Sequence, residues 1–218
     1  MQSATALPGL ERLLEVCRSR AHPLKYEPPL APEHPVAASV AGQPMDPQLA
    51  ALHSRVGYLW VRDELYVFPE RHPHRPDLHQ VNTHWRQDQA EPFGSLLVFA
   101  QDDRLAYCYA TVPSLVDARG LQPVVWVDVY EALYAVPVAS CLDAFFDTYA
   151  RYLEGAPAFH DGEDTSPLRA FPWNASQVIA RDRELVTRLR AGHFDFLLKA
   201  NARAREWVDS LAGASVSR

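Results

Sequence analysis

Histidine is the residue type whose spacing first raises the question of metal chemistry. Five of the nine histidines fall within 32 residues, at positions 53, 72, 74, 79 and 84. A zinc site needs three or four ligands that a helix or tight turn brings together. His72 and His74 instead flank a proline, with neither an HExxH motif nor a cysteine pair nearby. We therefore predict no metal ligands here and interpret the segment as a polar loop.

The other residue types that carry chemistry give no catalytic pattern. Cys17, Cys108 and Cys141 are far apart and lie in apolar-periodic stretches, as expected of buried free thiols in a reducing compartment. The chain lacks the GxSxG elbow of serine hydrolases and the glycine-rich loops that hold phosphates. We predict no catalytic residues, no cofactor and no enzymatic activity.

Carboxylates are more informative through their distribution than through any motif. Residues 102–164 contain three basic and eleven acidic side chains, a net charge of −8, whereas residues 165–218 have a net charge of +4. The whole chain has a net charge of −6, which argues against nucleic-acid binding because phosphate contacts require clustered positive charge. The acidic middle third is either a solvated face or a docking surface for a basic protein.

The chain shows no sign of a membrane or secretion route. Apolar runs fall short of the ~18 residues needed to span a bilayer. The N-terminus places Glu11 and Arg12 among its apolar residues, unlike a signal peptide. We therefore expect a cytoplasmic protein without a membrane partner.

Periodicity predicts helices at both ends of the chain and strands in its middle. A short helix around residues 10–17 must end before Pro23, and the proline-rich residues 22–47 are expected to form a surface connector rather than a helix or strand. Asp46 and Pro47 are typical of a helix start. Hairpins are predicted at 58–68 and 96–112, further strands at 124–129 and 134–138, and a loop at 69–92.

The second half of the pattern completes an α+β fold. Ser140, with Asp143 three residues later, predicts a capping box at the start of a helix that ends near Gly155. Two more helices are expected near 178–191 and 194–211. The fold class is thus α+β, a mixed or antiparallel central sheet covered by helices. We divide the chain into an N-terminal helix and connector (1–45), a core (46–155) and a C-terminal helical extension packed on the core (156–218).

Several apolar motifs of the core are similar to those of one protein family. They are Leu96-Leu97-Val98-Phe99-Ala100, Ala106-Tyr107-Cys108-Tyr109, Val124-Val125-Trp126-Val127-Asp128 and Ala139-Ser140-Cys141-Leu142-Asp143-Ala144-Phe145-Phe146. Upstream, Pro44-Met45-Asp46-Pro47 with Leu49 and Leu52 is similar to a helix of the same family that is usually followed by a glycine, here Gly57. Together these resemble the SUKH superfamily, which includes yeast cell-wall regulators of the Smi/Knr type, over roughly residues 44–154. The chain departs from the family at residues 103–106, in its long 69–92 insertion and beyond residue 155.

The resemblance implies a function as well as a fold. Many bacterial relatives are implied to be immunity proteins, cytoplasmic partners that neutralise a toxin delivered by a neighbouring cell. We therefore expect a non-catalytic binding module that neutralises a basic toxin, such as a nuclease. The alternatives are a scaffold or regulatory domain with several partners, as on the eukaryotic side of the family, and a metal-dependent hydrolase using His72, His74, Asp77 and His79.

The contact surface for a toxin is expected at the acidic turns of the middle third. The predicted contact residues are Asp102, Asp103, Asp117, Asp128 and Glu131, with the aromatic side chains of Tyr130 and Tyr134. Aromatic residues often anchor protein interfaces. For both tyrosines, packing in the core is the alternative interpretation.

Overall fold

The protein is built around one seven-stranded sheet in which every neighbouring pair of strands is antiparallel. This α+β architecture confirms the predicted fold class. The computed structural model describes residues 6–29, 35–62, 64–102, 105–130, 133–156, 171–198 and 201–214. The strand order is β1-β4-β5-β6-β7-β8-β9, with β2 and β3 forming a separate two-stranded sheet.

The strands follow one another along the chain with few interruptions. Their bounds are Leu24–Glu27 (β1), Ser39–Val40 (β2), Gln43–Pro44 (β3), Tyr58–Val61 (β4), Leu65–Val67 (β5), Leu97–Gln101 (β6), Tyr107–Thr111 (β7), Val124–Asp128 (β8) and Tyr134–Ala139 (β9). The helices are Pro8–Ser19 (α1), Pro47–His53 (α2), Leu78–Asp88 (α3), Leu142–Gly155 (α4), Ser176–Ile179 (α5), Arg183–Arg190 (α6), Asp195–Leu198 (α7) and Ala202–Ala214 (α8).

Helix α4 covers the centre of the sheet with its aromatic stripe. The Phe145 ring lies 5.1 Å from that of Tyr109 on β7 and 5.7 Å from that of Phe99 on β6, and all three residues are buried. Helix α1 packs on α4 in turn, at Gly9. A side chain at this position would collide with the Asp143 backbone, so glycine permits the close approach of the two helices.

Two segments predicted as irregular are ordered secondary structure. The connector contains β1, the edge strand of the large sheet, as well as β2 and β3. The prediction that this segment forms no strand was therefore wrong. The 69–92 segment contains α3, which begins where the Asp77 carboxylate accepts the Gln80 N–H group at 2.8 Å. The buried Asn82 then bonds both the N–H and the carbonyl of Val98, replacing a strand partner along β6.

The start of α4 differs from the predicted capping box. The cap residue is Cys141, with no side-chain hydrogen bond, and the Asp143 carboxylate accepts the Gly9 N–H group of α1 instead. The predicted C-terminal helices are present as four shorter ones, and α6, α7 and α8 pack on the edge strand β9. Among the described residues, no helix combines the length and apolar character needed to cross a membrane.

Candidate functional site: two acidic regions at opposite ends of the sheet

Three of the predicted contact residues lie together at one end of the sheet. Because β6 to β9 form an antiparallel meander, the β6–β7 and β8–β9 turns fall at the same end. Asp102 follows β6, while Asp128 ends β8 and Tyr130 lies in the next turn. The Tyr130 hydroxyl joins the two turns by accepting the Ala106 N–H group at 3.0 Å. We call Asp102, Asp128 and Tyr130 the hairpin-end patch.

Tyr130 is an exposed aromatic side chain that bridges the turn after Asp128 and the turn after Asp102. Its side chain is 56% exposed, and its ring meets that of Tyr107 edge-on at 5.4 Å. The Asp128 carboxylate accepts the Tyr130 N–H group at 2.9 Å, and the Asp102 carboxylate accepts the Leu105 N–H group at 3.0 Å. Both bonds are local turn contacts. The patch therefore has fixed geometry while its tyrosine remains accessible to solvent.

Four other predicted contact residues are not part of this patch. Asp103 and Glu131 lie outside the described residues. Tyr134 is only 6% exposed and packs against Trp126, with ring centroids 6.0 Å apart, so its prediction as a contact residue is corrected to core packing. Burial raises the pKa of its phenol, as expected of such a position. Asp117 lies at the opposite end of the sheet, between β7 and β8.

Asp117 belongs to an ion-paired network that joins its loop to α6. Its carboxylate accepts the Leu121 N–H group at 2.9 Å and the Arg119 guanidinium at 2.7 Å, and Arg119 also binds Glu184 at 2.9 Å. Burial acts to raise the pKa of Asp117, but these hydrogen bonds outweigh it and lower the pKa below the ordinary aspartate value. This carboxylate therefore organises its own loop.

Next to this network, the N-terminal ends of four helices meet, held by side chains from elsewhere in the chain. Asp46 caps its own helix, α2, through the Gln48 and Leu49 N–H groups at 2.7 and 3.1 Å. Its second oxygen accepts the Gln122 N–H group at 2.6 Å, 76 residues away in sequence. Because Asp46 is fully buried, these three N–H groups replace the hydrogen bonds that water would donate to an exposed carboxylate.

The same arrangement recurs around α1, α4 and α6. The side-chain amide oxygen of Gln48 accepts the Asp143 N–H group at the start of α4, at 2.9 Å. The Asp143 carboxylate caps α1 at Gly9, at 2.6 Å, and Asp182 caps α6 while accepting the Ser140 N–H group at 2.6 Å. We call Asp46, Gln48, Asp143 and Asp182 the cap ring. Each member joins two segments that are distant in sequence, or caps one helix from another.

A cavity of about 460 Å³ lies beside the cap ring, and acidic side chains dominate its charged lining. The lining includes Asp143, Asp147, Asp182 and Glu184, with Arg119 as its basic residue. Asp147 binds Arg12 at 3.0 Å and Arg151 at 2.8 Å, while Glu184 binds Arg119 and Arg188. Every carboxylate of this lining thus has a structural partner. The hydrogen bonds that fix this lining span up to 135 residues of sequence, so no local sequence motif predicts the site.

The groups that would serve catalysis are placed for structural roles. Burial raises the pKa of Cys17 to about 11, of Cys108 to about 12 and of Cys141 to about 11, which keeps these free thiols protonated and poorly nucleophilic. Asp77 caps α3 and accepts the His72 N–H group at 3.3 Å. Within the described ranges no group of three or more histidine, cysteine or acidic residues could hold a metal ion.

Comparison of the chain with protein families, with curated proteins and with solved structures finds no match.

Proposed function

We propose that this protein is a non-catalytic binding module, an immunity protein that neutralises a basic toxin by occupying its surface. The observation that carries the proposal is the hairpin-end patch, in which the exposed Tyr130 joins the turns that contain Asp102 and Asp128. The resemblance of the core motifs to the SUKH superfamily supplies the immunity class. Its partner would be a nuclease or another protein with clustered positive charge.

The chemistry of the patch suits a cationic partner. A lysine or arginine side chain placed over the Tyr130 ring would gain a cation–π contact, and the flanking carboxylates would attract the same charge. The surrounding segment, residues 102–164, has a net charge of −8, so a basic partner is attracted before contact. Complementary charge of this kind raises association rates and selects against acidic competitors.

The placement of the reactive groups supports binding without turnover. The three thiols are free and have raised pKa values, and Asp77 and His72 organise the start of α3. Free, largely buried thiols also fit a reducing compartment, and we place the protein in the cytoplasm. The toxin would therefore be met after it has entered the cell.

The proposal predicts that a gene beside the one for this protein encodes a basic toxin, and the test uses the purified product of that gene. We expect the purified pair to form a one-to-one complex, and co-expression of this protein to restore growth of cells that produce the toxin. The variant Tyr130→Ala should weaken the complex by about 2 kcal/mol, or about thirtyfold in Kd, because it removes the central anchor. Titration calorimetry gives this value directly.

The matched control is Tyr26→Ala, which removes an exposed tyrosine from β1, the edge strand farthest from β9 in the sheet. This variant should bind the toxin as the wild type does. A complex that tolerates Tyr130→Ala without loss would remove the hairpin-end patch from the interface. A neighbouring toxin that neither binds this protein nor loses toxicity in its presence would contradict the immunity function itself.

A further inference from the structure

The two edges of the large sheet are treated differently by the fold. Helices α6, α7 and α8 pack on β9 at one edge. At the other edge, β1 pairs with β4 on its inner side, and none of the described strands pairs with its outer side. Its last three residues, Lys25, Tyr26 and Glu27, are all exposed. An exposed edge strand presents backbone donors and acceptors to a further strand.

The hydrogen bonds of β1 identify which backbone groups face outward. The Pro23 carbonyl accepts the Arg62 N–H group at 3.0 Å, and the Glu27 carbonyl accepts the Gly57 N–H group at 2.9 Å. Residues 23 and 27 therefore turn toward the neighbouring chain. Because strand residues alternate with a period of two, Leu24 and Tyr26 direct their backbone groups away from the sheet.

We propose that two copies of this protein pair through β1, antiparallel about a two-fold axis at Tyr26. The outward N–H and carbonyl groups of Tyr26 then exchange hydrogen bonds with those of Tyr26 in the second copy. Lys25 lies opposite Glu27 of the second copy, and Glu27 lies opposite its Lys25. The two sheets join into one continuous fourteen-stranded sheet, with two cross-strand ion pairs beside the axis.

Charge selects this register over its neighbours. Shifting the axis by one residue, so that Leu24 pairs with Tyr26, places Lys25 opposite Lys25, and like charges directly opposite one another are destabilising. Pro23 and Pro28 bracket the strand and offer no N–H groups for a longer pairing. The same prolines that shorten the strand thus leave Tyr26 as the centre of the one register that is favourable for both backbone and charge.

Lys25 and Glu27 are positioned on one face for this exchange. Lys25 lies opposite Trp60 in the strand register, with its ammonium nitrogen 4.3 Å from the centre of the Trp60 ring. Glu27 lies opposite Tyr58, with its carboxylate 3.8 Å from Arg75. A pairing of four residues per copy is far smaller than a standard interface, so we expect a weak dimer with a Kd of ~100 µM.

Sedimentation equilibrium of the full chain from ~1 µM to ~1 mM tests the proposal. The wild type should dissociate reversibly across this range. Tyr26→Pro removes the outward N–H group but no bond of the β1–β4 ladder, and it should lower the association constant by about tenfold or more. Tyr26→Val is the matched control, because it keeps the N–H group and a strong strand preference and should still dimerise.

A charge series separates this interface from any other dimer. Lys25→Glu places like charges across the axis and should weaken association by about tenfold, and Lys25→Glu/Glu27→Lys should restore it. Circular dichroism and thermal melts of each variant report on folding. A wild type that stays monomeric to ~1 mM contradicts the proposal, as does a dimer insensitive to Tyr26→Pro and to the charge series. Neither result bears on toxin binding at the opposite side of the sheet.

Discussion

The two acidic regions at opposite ends of the sheet differ in what their carboxylates hold together. In the hairpin-end patch, Asp128 and Asp102 accept N–H groups two and three residues ahead in their own turns. In the cap ring, the Asp46 and Asp143 carboxylates join segments 76 and 134 residues apart in sequence. Acidic composition is therefore compatible with both a partner surface and a structural junction. The reach of the hydrogen bonds distinguishes the two.

This difference explains why the cavity beside the cap ring is not the site that we propose for binding. Four helix N-termini concentrate positive partial charge beside the cavity, and the cap ring neutralises it. The hairpin-end patch has no helix start to neutralise. It presents the exposed Tyr130 beside Asp128 to an approaching partner, and the predictions below test this division of roles.

The largest effect should follow from breaking the cap ring at its most buried member. Asp46→Ala removes the acceptor of three backbone N–H groups in a fully buried position, and we expect a loss of about 3 to 4 kcal/mol of unfolding free energy. Urea denaturation measures this loss.

The control for this variant is Asp46→Asn. It keeps one carbonyl oxygen for the helix cap but turns an amide group toward the Gln122 N–H, so it should cost less than the alanine variant. Equal stability of Asp46→Ala and the wild type would remove the structural role that we assign to the ring.

The pH dependence of the unfolding free energy should show that His53, and not the cap ring, makes the protein less stable in acid. Burial, with a smaller contribution from nearby His79, lowers the pKa of His53 to about 4. An unfolded histidine titrates near ~6.5. The neutral ring therefore gives its full stabilisation above pH 6.5, and about 3 kcal/mol is lost as the pH falls from 6.5 to about 4. Urea titrations between these pH values measure the slope.

The cap ring should act with the opposite sign in the same titration. Burial raises the pKa of Asp46 and of Asp143, so their contribution to stability increases as the pH falls through the raised folded-state values. His53→Leu should therefore flatten most of the acid slope, leaving the part due to His22, whose pKa burial also lowers. His74→Gln, at an exposed position, is the control, and an unchanged slope in His53→Leu would be contrary to this assignment.

The smallest effect on stability is expected in the hairpin-end patch. Asp128→Ala removes the local turn bond from the Tyr130 N–H group and the hydrogen bond with the Tyr134 side chain at a partly exposed position, so the unfolding free energy should fall by about 1 kcal/mol or less. A loss comparable to that of Asp46→Ala would show that the patch is a structural junction like the ring. Thermal melts of the two variants side by side provide the comparison.

Local signals predicted the elements whose causes lie within a few residues. The start of α2 was predicted from Asp46 and Pro47, and the β6–β7 hairpin from its alternating apolar residues. β1 was missed because prolines surround its four residues and its partner strand lies over 30 residues away. α3 was missed because its surface is polar and its buried residues are few.

The contacts of the cap ring between distant segments could not be predicted from local sequence patterns, because their partners are far apart in the chain. Ser140 and Asp143 have the spacing of a capping box, but in the folded chain Asp143 serves α1 and Ser140 donates to Asp182. A carboxylate can satisfy whichever N–H group the fold brings near it, and tertiary contacts decide which one that is. The hairpin-end patch was partly predicted because turns concentrate acidic residues, whereas the burial of Tyr134 depends on Trp126 in the adjacent strand.

The most direct measurement of the central claim is the association rate with the basic toxin as a function of ionic strength. The charge-reversal variant Asp102→Lys/Asp128→Lys should associate about tenfold more slowly at low salt, with a flatter salt dependence, while Glu15→Lys/Glu206→Lys, which reverses two exposed charges on helices, should change both quantities far less. Rates and salt dependence that are the same in the wild type and the patch variant would contradict the account.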